Sequence, residues 1–145
     1  MNEPQDFAEE VERAKAARRF GDLALLTEEV KGFEWESEGF RVVGRAQYDL
    51  KDYEGARVSW EQVRELENDD LEANTLLGTI YQRLGDLSRS DQALRRALEN
   101  NEARPFDRAE LRALLGRNAK TQWVAEWRGA APPDRRAAAL RDPGD

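Results

Sequence analysis

Any chemistry in this chain would have to come from carboxylates, arginines and hydroxyls, because its 145 residues include no His and no Cys. The missing imidazole removes the commonest general base and transition-metal ligand, and the missing thiol removes disulfides, thiolate zinc sites and thiol nucleophiles. Ser37, Ser59, Ser88 and Ser90 have no base candidate beside them, and there is no Gly-rich phosphate loop. The acidic run Glu65, Glu67, Asp69, Asp70, Glu72 lacks the Asp-x-Asp-x-Asp-Gly spacing and the distal Glu of a calcium loop. It reads instead as a turn in which Asp69 or Asp70 caps the next helix. No catalytic residue, no metal ligand and no cofactor is therefore expected, and the chain does not read as an enzyme. What remains is recognition chemistry: guanidinium forks shaped for carboxylates, and an indole pair, Trp123 and Trp127, at i,i+4 spacing.

Composition narrows the partner. Thirty acidic residues against 23 basic ones give a net charge of -7, which argues against nucleic acid, since phosphate binding needs a dominant positive field. The polar start of the chain, Met1 to Asp6, is no targeting segment, and no apolar run approaches the ~20 residues that span a membrane. A soluble, cytoplasmic protein with no membrane contact is the expectation. The Arg- and Ala-rich usage, with only four Lys, resembles that of a GC-rich bacterial genome. A charged fraction of 37% beside 39% hydrophobic residues suits thin helical layers better than one thick core.

Those layers repeat. Phe40 to Leu66 aligns with Asn74 to Asn100 at an offset of 34 residues: Val43-Gly44 falls on Leu77-Gly78, Leu50-Lys51-Asp52-Tyr53 on Leu84-Gly85-Asp86-Leu87, and Trp60 on Leu94. Leu77, Ile80, Tyr81 and Leu84 recur at helical spacing until Gly85-Asp86 breaks the run, and a second amphipathic run, Leu87 to Leu98, follows. Each unit is thus two helices and a tight turn. Gly44 and Gly78 sit mid-helix, at a cost of ~1 kcal/mol relative to Ala, so a close partner helix is expected at each. Upstream, Phe20-Gly21-Asp22-Leu23 echoes Leu84 to Leu87 and marks a divergent pair over 7-32, offset from the next by 30 residues rather than 34. Downstream, Pro105 stops the third pair and Asp107 is placed to cap a closing helix over 107-128, with Leu111, Leu114, Leu115, Ala119, Trp123 and Trp127 on one stripe. The expected organisation is all-α: repeats at 37-68 and 71-102 within a domain of residues 1-128, then a flexible tail, 129-145, rich in Pro.

Leu77-Gly78, Tyr81, Leu84-Gly85-Asp86, Ala93 and Ala97, at this period, resemble the tetratricopeptide repeat (TPR) signature. The run Leu77 to Leu98 with Leu114 to Lys120 is more loosely similar to TPR segments of bacterial multidomain signalling and defence proteins. Asn74 stands where the family often has Trp, and Gln47 where an aromatic is usual. The resemblance implies a right-handed superhelix of antiparallel helix pairs, about three plus the closing helix, whose first helices line a concave groove for a peptide or protein. Carried over position by position, that groove is lined by Glu38, Arg41, Arg45, Tyr48 and Asp49, then by Glu72, Thr75, Thr79, Gln82 and Arg83. A looser placement adds Lys15, Arg18 and Arg19, and Arg117 and Lys120 from the closing helix. The family's clamp for chaperone tails is not matched, because Arg41 and Arg45 hold its first positions and Leu76 replaces a needed Asn.

The leading reading is an adaptor or scaffold for a protein or peptide, with an acidic segment as the sharp form of the idea. Its candidate contacts are Arg41, Arg45, Tyr48, Thr79, Gln82, Arg83, Arg117, Lys120 and Trp127. Against it stands a bland reading in which Glu38, Asp49 and Glu72 neutralise the arginines on a solvated face. For the indoles the bland reading is that they seal the last repeat. Two alternatives stay open: a structural subunit or self-assembling oligomer using the closing helix, and an immunity-type inhibitor whose acidic outer face, with Glu61, Glu65 and Asp69, blocks a basic partner.

Overall fold

The computed structural model describes residues 3-129, and among these the chain forms seven helices and no strand. They are α1 (Pro4–Ala16), α2 (Phe20–Glu29), α3 (Glu36–Asp49), α4 (Tyr53–Leu66), α5 (Leu71–Leu84), α6 (Leu87–Glu99) and α7 (Pro105–Gly129). The pairs α1–α2, α3–α4 and α5–α6 pack as hairpins, each hairpin stacks on the next, and α7 lies on α6 and α5. The expected all-α array of three pairs and a closing helix is the observed one. The expected tail, 129-145, falls outside the described residues except for Gly129, which ends α7.

One backbone device makes all three hairpin turns. The N–H groups of Arg19, Asp52 and Asp86 donate to the carbonyls of Ala14, Gln47 and Tyr81, each at 2.9 Å, and those of Arg18, Lys51 and Gly85 donate to Lys15, Tyr48 and Gln82. This pair of hydrogen bonds is the Schellman motif, whose pivot residue takes the left-handed conformation. The pivots are Arg18 (φ 54), Lys51 (φ 62) and Gly85 (φ 82). Only the third pivot is Gly; a side chain there costs ~1–2 kcal/mol. Counted by pivots, the spacings are 33 and 34 residues, so α1–α2 is a repeat nearly in step with the others. The echo at Gly21-Asp22 places the first turn three residues too late: Arg18 is the pivot, and Gly21 and Asp22 lie inside α2.

Asp52, Asp70 and Asp86 cap α4, α5 and α6, accepting from the N–H groups of Gly55, Ala73 and Arg89. Each cap stabilises its helix by ~1 kcal/mol. Asp70, not Asp69, therefore ends the acidic turn. Asp107 caps α7 from within its first turn and is not the residue that precedes the helix. α7 begins at Pro105, and Asp107 reaches back from the first turn to accept the Arg104 N–H at 3.0 Å.

The mid-helix glycines meet the partner helices expected of them. A Cβ on Gly78 would come 2.3 Å from Leu94 Cδ2, and one on Gly44 2.7 Å from Trp60 Nε1. Trp60 and Leu94 are fully buried over them. The two departures from the TPR pattern are buried amides with partners. Gln47 Oε1 accepts from Ser59 Oγ, which also bonds Thr27 Oγ1, while Asn74 donates to the carbonyls of Asn68 and Asp70 and accepts from Arg96 Nε. Between the first two pairs, Phe33 stacks on Trp35 and Trp35 lies 5.3 Å from the Phe7 ring, which makes an apolar wedge there.

Candidate partner-binding surface

Among the first helices α1 touches α3 and α5 touches α7, and ion pairs from Arg41 and Arg45 to Glu72 join α3 to α5, so they share one side of the array. On α3, Arg41 and Arg45 are one turn apart and both turn toward α5. Arg41 grips Asp70 with both terminal nitrogens (3.0 and 2.8 Å), and it also reaches Glu72 (3.0 Å) and Glu67 (3.3 Å). Arg45 forks onto Glu72 through Nε and Nη2, both at 2.9 Å, with Glu38 at 3.7 Å. Lys15 takes Asp49 at 2.9 Å.

These contacts leave a signature in acidity. The Glu72 carboxyl is held below its ordinary value, first by the bond from Arg45 and then by Arg41, against the opposing effect of burial. Burial alone would push Asp70 up, but the Arg41 guanidinium and the Ala73 N–H outweigh it and the net shift is downward. Arg41 is held even more firmly in its charged form, chiefly by its bond to Asp70. Arg41 is thus a staple between the second and third hairpins, its side chain only 14% exposed. A guanidinium so committed has little left for a ligand. Around α3 the balanced reading describes the face: Glu38, Glu72 and Asp49 neutralise the cations there.

The balance ends at α5. Among the described residues Arg83 makes no ion pair, and neither do Arg117 and Lys120; all three are exposed. Gln82 Nε2 donates to Asn118 Oδ1 at 2.7 Å, so their sequence neighbours Arg83 and Arg117 come to one level of the α5–α7 seam. Lys120 lies one turn further along α7. Thr79 is half-buried one turn before Arg83. Gln82 is spent on the seam itself, and Tyr48 is packed edge-on against Tyr53 at 6.0 Å, beside the core.

Asn118, which no sequence pattern singled out, organises this seam. It is buried, accepts from Gln82, and donates to Ser90 Oγ (2.8 Å) and Asp91 Oδ1 (2.9 Å), while Ser90 Oγ donates to the Gly78 carbonyl. The stripe expected on α7 is corrected accordingly. Leu111 and Asn118 are buried, and Leu114 and Leu115 partly so, but Ala119 and Trp123 face solvent. Trp123 is 53% exposed and does not seal the array. It stacks on half-buried Trp127, ring centres 6.0 Å apart and planes 12° from parallel. Ser59 and Ser90 are buried structural hydroxyls. No helix among the described residues is long and apolar enough to cross a membrane, and among them no group of three His, Cys, Asp or Glu could hold a metal ion.

A family model described as Tetratricopeptide Repeats-Sensor matches residues 52–142, well over half of the chain. The match runs from the cap of α4 through α7 and beyond the described residues; α1 to α3 lie outside it. No curated protein and no solved structure matches the chain. Tetratricopeptide repeats are typically protein-protein interaction modules without catalysis.

Proposed function

The chain belongs to the Tetratricopeptide Repeats-Sensor family, and from that premise we propose that it is a non-catalytic module that takes an acidic segment of a partner protein along the α5–α7 seam. The observation that supports this reading is that Arg83 and Arg117, sequence neighbours of the hydrogen-bonded Gln82 and Asn118, are exposed and make no ion pair among the described residues. The contrast with α3 is the point: there every groove cation already has a carboxylate, whereas here none does among the described residues. Arginine forks without partners are the groups best matched to carboxylates, and Arg83 lies one turn of α5 from Thr79, whose hydroxyl can bond a peptide backbone. Arg45, with 47% of its side chain exposed, extends the site toward α3.

Selection from a displayed random-peptide library tests it. Sequences enriched in Asp and Glu are expected, and their binding should fall at least tenfold in the double variant Arg83→Glu, Arg117→Glu with Tm unchanged, since neither residue carries an ion pair. Recovered peptides without acidic enrichment, or binding that survives the double variant, sink the proposal.

A further inference from the structure

The seam accounts for one side of α7 and leaves the opposite one unexplained. Leu111, Leu114, Leu115 and Asn118 face the array. Away from it, Ala109, Ala113, Gly116, Lys120 and Trp123 are exposed and Trp127 is half-buried. Those six alternate at spacings of four and three residues, the rhythm that keeps one seam of a helix toward a partner helix. At ~100° per residue this second seam is centred roughly opposite the packed face, so a helix laid on it would carry its own array away from this one.

We infer that this face is a homodimer interface in which α7 packs antiparallel on α7 of a second copy. The order of sizes along the helix selects that occupant. The first half of the seam carries small residues and the second half bulky ones. About a two-fold axis at the level of Asn118, Ala109 meets Trp127 of the second copy, Ala113 meets Trp123, and Gly116 meets Lys120. Every bulky residue then lands on a small one, twice over, which is the self-complementarity a two-fold interface demands. Gly116 has nothing within 4 Å of where a Cβ would be, so the Lys120 stem can cross it with the ammonium at the rim. Charge agrees with the same register. Beside the seam, Arg112 falls next to Glu126 of the second copy, and both are exposed and without an ion pair among the described residues. On one helix they stand 14 residues and ~21 Å apart, too far to satisfy each other.

One contact opposes the dimer: Arg117 meets its own copy near the axis. Four indoles of ~150–250 Å² each, those of Trp123 53% exposed and those of Trp127 less so, outweigh it but leave the interface near the lower limit for specific association. The expected dissociation constant is micromolar, roughly 1–100 μM.

The test is sedimentation velocity of the full chain over a concentration series, with helix content followed by circular dichroism. A monomer–dimer equilibrium is expected, weakened at least tenfold by Trp123→Ala with Trp127→Ala. Arg112→Glu and Glu126→Arg should each weaken it by about two- to fivefold, and the two together should restore it. That rescue is specific to the antiparallel register. A chain that stays monomeric, or a dimer indifferent to these changes, overturns the proposal. So does a full chain that is monomeric and dimerises only after residues 130–145 are removed, which would make those residues the occupant. Arg117 is common to this interface and to the peptide site, whereas the seam variants leave both Arg83 and Arg117 in place. A seam variant that is monomeric and still binds acidic peptide therefore separates the two proposals.

Discussion

Arg41→Ala removes the side chain that joins α3 to the cap of α5, and the structure sets the size of the loss. Arg41 and Asp70 are 14% and 15% exposed, between the surface regime, where an ion pair contributes ~0.2–1 kcal/mol, and the buried one, where losing one partner costs ~3–5 kcal/mol. Two of the orphaned groups keep other partners: Asp70 still accepts from Ala73, and Glu72 still accepts from Arg45. A loss of about 2 kcal/mol follows, a Tm drop of roughly 4–8 °C for a chain of this length. Arg45→Ala, in a half-exposed pair, should cost under ~1 kcal/mol. Urea unfolding followed by far-UV circular dichroism measures both. An Arg41→Ala chain within ~0.5 kcal/mol of the parent, or an Arg45→Ala chain that is the less stable of the two, would refute the staple.

Acid should dissolve the same staple. Because the folded protein holds Glu72 and Asp70 below their ordinary values of 4.5 and 3.8, the unfolded chain binds protons first, so the stabilisation is complete at neutral pH and fades as pH falls below those values. The stability gap between parent and Arg41→Ala should therefore narrow at about pH 3, and a constant gap would contradict the assignment. Gly78→Ala should destabilise by ~1–3 kcal/mol despite the better helix former, because its Cβ would run into buried Leu94, and Leu94→Ala should make the change less costly. If Gly78→Ala stabilises the protein, the close approach of α5 and α6 is wrong.

The array was legible because its signals are local. The 34-residue period, the Gly85 pivot, the capping aspartates and the mid-helix glycines each act through neighbours close in sequence. The first turn was misplaced because a Schellman pivot needs only positive φ, which Arg18 supplies at some cost, while Gly21 merely looks the part. The surface was less legible because ion pairing is tertiary. Arg41, Arg45 and Arg83 look alike in sequence, yet Arg41 finds Asp70 across 29 residues and Arg83 finds no carboxylate among the described residues. Asn118 stayed hidden for the same reason: the expected apolar stripe ran through Ala119, and only the positions of Gln82, Ser90 and Asp91 turn the helix so that the amide is buried. A single remaining signal, Leu84 lying 34 residues before Asn118 at the equivalent helical position, could have pointed to it.

The central claim is a location, so the most direct measurement is a residue-resolved one. An amide ¹H–¹⁵N NMR titration with a Glu-rich probe peptide should shift resonances of Thr79, Gln82, Arg83, Arg117 and their neighbours, and leave the outer helices α2, α4 and α6 unmoved. Shifts confined to those outer helices, or none at saturating peptide, would contradict the account.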